Sequence, residues 1–337
     1  MFKYKGMSLQ NPRLRKRLRR VPLTFTRASV AYDYKGDEVP VDTPRFTHLI
    51  NGEIVHGCLV EEAHTNLLTA DASQALTTES PYTTGTLNGT YTFQCEGTGS
   101  YELSGGATGT VSKDNPVTAA VVSATVTLTP ATSSTLNQIL KTAYPLSWTL
   151  GGTTQAAETL TAPSSVLSLT EGTIEAEVYV NSTFLVGTHS IIDMRDVSGN
   201  NRILMRQFTN NWDFMTRDGS SSSEITYSQT NTPVNNWYDV AMGYGSILTA
   251  YINGNSVGTP VSSPKLPTEY NTLYIGRVYD GSNCLDTIVR NITISKTKRT
   301  DPDIANRSGR DGFGVDRQVT LIAPLKNNLN AYRVATV

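Results

Sequence analysis

The sequence predicts an all-β protein: an extended basic N-terminal arm, a small antiparallel β-sandwich and a two-sheet jelly roll. Charged residues make up only 17%, while Thr, Ser, Gly, Asn and Tyr are abundant, a mix that suits pleated strands and tight turns. Short alternating apolar and polar runs are broken by Gly or Asn, and no long helical pattern interrupts them. A chain of 337 residues is long enough for several cores at roughly 100–200 residues per domain. The divisions expected are 1–70 for the arm and an attachment segment, 71–145 for the small sandwich, 146–306 for the jelly roll and 307–337 for a C-terminal extension.

The arm is set apart by charge. Met1 to Arg20 holds eight basic residues (Lys3, Lys5, Arg13, Arg15, Lys16, Arg17, Arg19 and Arg20) and no acid, which leaves 20 basic against 29 acidic residues in the remainder. Asn11-Pro12 and Pro22 are expected to bound a short helix. A charge run of this kind is either a solvated face or an anchor on an acidic surface. Docking on protein is preferred to nucleic acid, because no aromatic interleaving or base-reading fold accompanies it. The arm lacks the apolar run of a secretory signal, and no segment approaches the roughly 20 apolar residues of a membrane span; a soluble, cytosolically made protein without a membrane partner is expected. Cys58, Cys95 and Cys284, odd in number and far apart, fit reduced thiols.

From Val21 to about Leu68 the text reads as extended chain with short strands, including a hairpin turned by Asn51-Gly52. From Thr84 to Pro130, runs such as GTYTFQCEG and AVVSATVTLTP read as the small sandwich, and LNQILKTAYPLSW as a connector. In the jelly-roll region, TIEAEVYV puts Ile174, Ala176, Val178 and Val180 on one face and Glu175, Glu177 and Tyr179 on the other, which predicts one buried and one wet face. ILTAYINGNSVG reads as a hairpin around Asn253-Gly254, and NTLYIGRVY and DTIVRNITIS as further strands.

Two parts of the text resemble known families. FTRAS (Phe25 to Ser29), then DTPRF (Asp42 to Phe46), then GCLVEEAHTNLL (Gly57 to Leu68) resemble a segment recurrent near the N-terminus of tailed-bacteriophage virion proteins. Its last element is matched by Gly57, Leu59, Val60, Glu61, Thr65, Asn66 and Leu67. EGTIEAEVYV, NNWYDVAMGY, LTAYINGNSVG and LDTIVRNITISKTKRTDPDI resemble the strands, hairpin and closing helix of a concanavalin A-like, laminin-G-like jelly roll. Together they imply a non-enzymatic virion structural protein, made in the host cytoplasm: a capsid decoration protein, a head or tail fibre, or another appendage. Its partners would be major capsid, portal or tail proteins, with homo-oligomers such as trimers giving avidity. Attachment is expected from Arg13, Arg15, Lys16, Arg17, Arg19, Arg20, Arg27, Arg45 and Glu61.

A lectin-like adhesin for host-surface glycans is the alternative. Trp212 and Asp213 with Arg217 in TNNWDFMTRDG, and Tyr279 in RVYDG, offer rings to stack on sugars and polar groups to bond hydroxyls, although a strand Trp more often packs in a core, as Trp237 is expected to. The jelly-roll resemblance also implies calcium, for which Asp193, Asp196 and Asn200, or Asp280 and Asn283, supply hard oxygens, although turn chemistry alone explains them. Glucan hydrolysis would draw on Glu175 and Glu177 as paired acids, yet the Glu-x-Asp-x-x-Glu pattern of the related glucanases is absent. No other cofactor is expected.

The crowded stretch Cys58 to His64 carries neither zinc-ligand spacing nor a nucleophile with its base. It reads as a docking element: Gly57 permits a close turn, Cys58 is a small buried hydrophobe, and Glu61 is expected to be held by Arg27 or Arg45.

Overall fold

The computed structural model describes residues 18–50, 53–180, 187–229, 233–280, 283–305, 319–323, 325, 328–329 and 331–334. It is all-β and antiparallel. The turn at Asn51-Gly52 and the basic residues up to Arg17 lie outside that set.

Alternation decides which residues fill the large core. In one sheet the strands run, in spatial order, Leu18–Val21, Ala331–Val334, Val319–Ala323, Thr287–Ser295, Gly172–Val180, Asn236–Tyr244, Ile247–Ile252 and Asn255–Ser262, with Cys58–Val60 also paired to Thr287–Ser295. The facing sheet runs Thr24–Thr26, Thr159–Pro163, Thr272–Ile275, Thr188–Arg195, Arg202–Phe208, Asn211–Asp218 and Ser221–Ser228. Every second residue of each central strand points between them, so Ile174, Val178, Ile192, Met194, Trp212, Phe214, Val240 and Ile294 share one apolar interior. Asn253 and Gly254 turn the hairpin between Ile247–Ile252 and Asn255–Ser262 with φ of 50° and 78°, the positive values that a two-residue turn matched to strand twist requires.

Described residues toward both ends of the chain pack into this jelly roll. Val21, Phe25, Cys58 and Val60 from the first seventy residues, and Ala323 and Leu325 from the last thirty, lie in the same core as the central strands. The described residues of the attachment segment and of the C-terminal extension therefore contribute strands and core side chains to the larger module. Leu18–Val21 is a strand, so the expected helix does not reach Pro22.

Two smaller sheets form the second module. Tyr82–Thr83, Val126–Thr132, Ser100–Gly105 and Gly109–Ser112 make one; Val117–Ala124, Leu87–Cys95 and Asn137–Leu140 make the other. They close on Phe93, Tyr101, Val111, Leu128 and Ile139. The stretch from Leu136 is thus a strand rather than a connector: Asn137–Leu140 pairs with the second half of Leu87–Cys95.

The outer face of Gly172–Val180 is covered, against the expectation of a wet face; all nine residues of this strand are buried. The chain after Thr287–Ser295 returns over it, and Arg299 bonds Glu175 at 2.8 Å while Arg290 bonds Glu177 at 2.7 Å. Trp237 packs on this outer side rather than in the main core, edge-on to Tyr179 at 5.4 Å with Arg290 stacked 3.6 Å over its ring. Gly57 sits against the same sheet; a Cβ there would lie 2.3 Å from Ile288 Cγ2 and 3.1 Å from the Val289 carbonyl oxygen. Gly57→Ala is therefore expected to lower stability by about 1–3 kcal/mol through overpacking; a thermal melt unchanged from the parent would contradict that placement.

Candidate functional site

Two constellations hold the residues singled out by sequence. The first is a buried clasp. Arg27 follows Phe25, whose ring is in the core, so its side chain emerges beneath the turn at Pro40 and Asp42. Its Nη1 donates to Glu158 Oε1 at 2.9 Å, its Nη2 to the Pro40 carbonyl at 2.7 Å and its Nε to the Ser29 carbonyl at 2.9 Å. Arg45 Nη2 reaches Glu61 Oε2 at 2.8 Å and Glu158 Oε1 at 2.6 Å, while its Nη1 bonds Ser147 Oγ at 2.5 Å and the Tyr32 carbonyl at 3.3 Å. Glu61 also accepts from the Ser147 amide and hydroxyl and from Gln155 Nε2, and the Glu61 amide donates to Glu158 Oε2 at 3.1 Å.

Two cations and two anions thus neutralise one another in the interior, in the charge-assisted geometry that makes such a group worth burying. Burial alone would raise the Glu61 carboxyl, but Arg45, then His64 and Ser147, hold it down at about 2. Five residues on, Asn66 satisfies all four of its bonding positions. It donates to the Asn137 and Thr149 carbonyls and accepts from the Leu68 and Ile139 amides, tying the segment to the small sandwich.

Arg45 is thus a partner of Glu61, and Arg27 reaches that carboxylate's neighbour Glu158. Arg27, Arg45 and Glu61 are all buried, so they present no surface to another protein; their interior partners occupy them. Of the other attachment residues, Arg13, Arg15, Lys16 and Arg17 lie outside the described residues, and Arg19 and Arg20 form part of Leu18–Val21, paired with Ala331–Val334. Cys58 is fully buried among apolar neighbours and burial raises its thiol, which removes it from nucleophilic chemistry.

The second constellation is the outer face of the seven-stranded sheet. Cross-strand pairing sets Asp193 opposite Tyr274 and Leu204, Arg195 opposite Arg202, Arg202 opposite Arg217, and Arg206 opposite Asp213, so all point the same way. Asp193, Leu204, Met215 and Asp213 form a buried floor, covered by arginine stems. Arg202 Nε donates to Asp193 Oδ1 at 2.6 Å and Arg206 Nε to Asp213 Oδ2 at 2.9 Å; Arg217 Nε donates to the Gly219 carbonyl at 3.0 Å. Anchored through Nε, Arg202 and Arg217 keep their terminal nitrogens without a protein acceptor among the described residues. At one end Tyr279 is 42% exposed, with the Arg195 guanidinium 3.8 Å from its ring centre and Tyr274 edge-on at 6.4 Å.

Of the four residues expected to touch a glycan, this face holds Asp213, Arg217 and Tyr279. Trp212 does not join them. It alternates to the inner face, is 1% exposed and packs on Tyr238 at 5.7 Å, so a Trp212→Ala variant would report on the core. The calcium residues do not converge either. Asp193 is occupied by Arg202 and by the Tyr279 amide at 3.3 Å, whereas Asp196 accepts from Ser198 Oγ and Asn201 Nδ2 within its own turn, and Asn200 contributes its backbone amide to Ser198 Oγ. Among the described residues no three His, Cys, Asp or Glu side chains are placed to hold a metal ion. Nor does any helix among them have the length and apolarity to cross a membrane.

Residues 151–305 match the family model described as the concanavalin A-like lectin/glucanases superfamily, and to that extent this part of the chain is similar to that family. No curated protein matches the chain. Among solved structures it is similar to the receptor binding domain of botulinum neurotoxin D, at 11% identity and a TM-score of 0.36 over 44% of this chain and 40% of that one. It is also similar to the binding domain of botulinum neurotoxin DC in complex with rat synaptotagmin II, at 16% identity and a TM-score of 0.37 over 47% and 41%. A third is Ruminococcus gnavus IT-sialidase CBM40 bound to alpha2,3 sialyllactose, at 11% identity and a TM-score of 0.34 over 42% and 84%. The chain spans about two fifths of the toxin chains.

Proposed function

We propose that this chain is a non-enzymatic structural protein of a tailed-phage particle whose concanavalin A-like domain binds saccharides through the outer face of its seven-stranded sheet. The observation that carries the binding role is the row of arginines anchored by Nε over a buried carboxylate floor, ending at the half-exposed ring of Tyr279. Guanidinium groups fixed in this way lose little freedom on binding and bond carboxylates or paired hydroxyls through two parallel N–H groups, while an aromatic ring stacks on the apolar face of a sugar. A family that includes lectins is consistent with that chemistry. Glu175 and Glu177, the pair a hydrolase would need, are each bonded to a separate arginine, Arg299 from the covering segment and Arg290 from the neighbouring strand.

The particle role rests on the N-terminal resemblance. Its signature residues are the builders of the clasp: Arg27 from FTRAS, Arg45 from DTPRF, Glu61 and Asn66 from GCLVEEAHTNLL. The segment holds the modules together, and the basic stretch before it remains for attachment to capsid or tail proteins, with a homo-oligomer multiplying weak contacts. Tyr279→Ala and Arg217→Ala are each expected to weaken binding of acidic oligosaccharides about tenfold on a glycan array without altering the melt; arrays unchanged by both would overturn the assignment of the face. Normal incorporation of a version lacking Met1 to Arg20 into particles would overturn the attachment role.

A further inference from the structure

We infer that a second saccharide site lies between the modules, in a cavity outside the concanavalin A-like face. The cavity, open to solvent on one side, has a volume of about 310 Å³, at the small end of the roughly 300–1,000 Å³ typical of ligand sites. Tyr32, Tyr34 and Trp148 give it aromatic wall; Glu96 and Lys113 come from the small sandwich, and Asn235 from the jelly roll. Trp148 and Tyr32 meet edge-to-face at 4.7 Å, and the indole Nε1 donates to the Asn137 carbonyl at 3.1 Å, which fixes that wall.

The polar groups specify the ligand. Arg45 lines the cavity, and its Nε is buried with no acceptor among the described residues, a state that costs about 1–3 kcal/mol until an acceptor arrives. Glu96 is held in place by Gln94 Nε2 at 2.7 Å, and burial pushes its carboxyl up to about 7, so near neutrality it both donates and accepts. Asp33, beside Tyr32 and Tyr34, and Asp114, beside Lys113, also line the cavity. An organic cation would meet Lys113 and Arg45; an anion would meet the carboxylates. A hydroxyl-rich ring accepts from the cations, donates to the carboxylates and lays its C–H face on tyrosine, which fits every group present. The ligand class is a neutral mono- or disaccharide, whether free or the end of a longer glycan.

The experiment uses the full chain carrying Tyr279→Ala, so that failure of the sheet-face reading does not affect it. Saturation-transfer NMR and calorimetry are run with maltose, lactose, cellobiose and N-acetylglucosamine, each also as a polysaccharide or oligosaccharide carrying it as the terminal unit. At least one free sugar is expected to bind, with affinity lowered about tenfold by Tyr34→Ala and by Lys113→Ala, and with a pH dependence near neutrality that Glu96→Gln flattens. A terminal unit that binds while the free sugar does not identifies the glycan-end source and equally supports the site if the same two variants abolish it. Absence of binding by any of these probes, or binding indifferent to both Tyr34→Ala and Lys113→Ala, overturns the proposal.

Discussion

Arg45→Ala is expected to destabilise the protein by about 3–5 kcal/mol, the range for leaving a buried charge uncompensated. The side chain joins four acceptors, Glu61, Glu158, Ser147 and the Tyr32 carbonyl. Without it, two carboxylates linked through the Glu61 amide share one remaining arginine, Arg27, which of the two bonds Glu158 alone. Both carboxylates are shielded by the fold, Glu61 at 3% exposed and Glu158 at 0%. Arg45→Lys should restore little, because a single ammonium cannot span acceptors set out for a planar fork. Urea denaturation at neutral pH measures the loss, and the deficit should shrink in acid as the orphaned carboxylates protonate. A deficit below about 1 kcal/mol, the value of an exposed pair, would show that the clasp is not sealed from solvent.

The clasp also marks how far the sequence could be read. That Glu61 would be held by an arginine was legible, because a carboxylate inside an apolar run needs a partner. Glu158 was not: it lies 131 residues from Arg27 and 113 from Arg45, in AAETL, a stretch without local signal. The jelly-roll strands and the Asn253-Gly254 turn follow from period-two alternation and turn chemistry, both local. Alternation says which side chains share a face but not what lies on it. The cover over the glutamates of Gly172–Val180 and the pairing of the stretch from Leu136 come from chain far away in sequence, whereas Trp212 is decided locally, because alternation along NWDFMTRD sets it on the face opposite Asp213 and Arg217. Asp213, Arg217 and Tyr279 were legible as sugar-binding types, but only register across strands shows that the arginines between them form a row.

Two carboxyl groups should give stability a pH dependence of opposite sign. Glu61 is lowered from its ordinary 4.5 to about 2, so the folded state holds its proton less tightly than the unfolded chain. Its contribution is complete above about 4.5 and is lost as pH falls toward 2, up to about 3 kcal/mol at 1.4 kcal/mol per unit. His48 adds to the acid side: burial and then Arg45 lower it from 6.5 to about 4, so protonating the unfolded chain costs stability as pH falls between those values. Glu96 runs the other way. Its raised carboxyl favours the folded state below 4.5, and that advantage is lost as pH rises to about 7. Glu96→Gln should therefore match the parent near pH 4 and exceed it at pH 8, whereas Glu61→Gln should be the less stable protein at pH 7 and approach the parent in acid. Urea denaturation across pH 3–8 separates the two, and parallel curves for either variant and the parent would mean that the carboxyl concerned is solvated as it is in the unfolded chain.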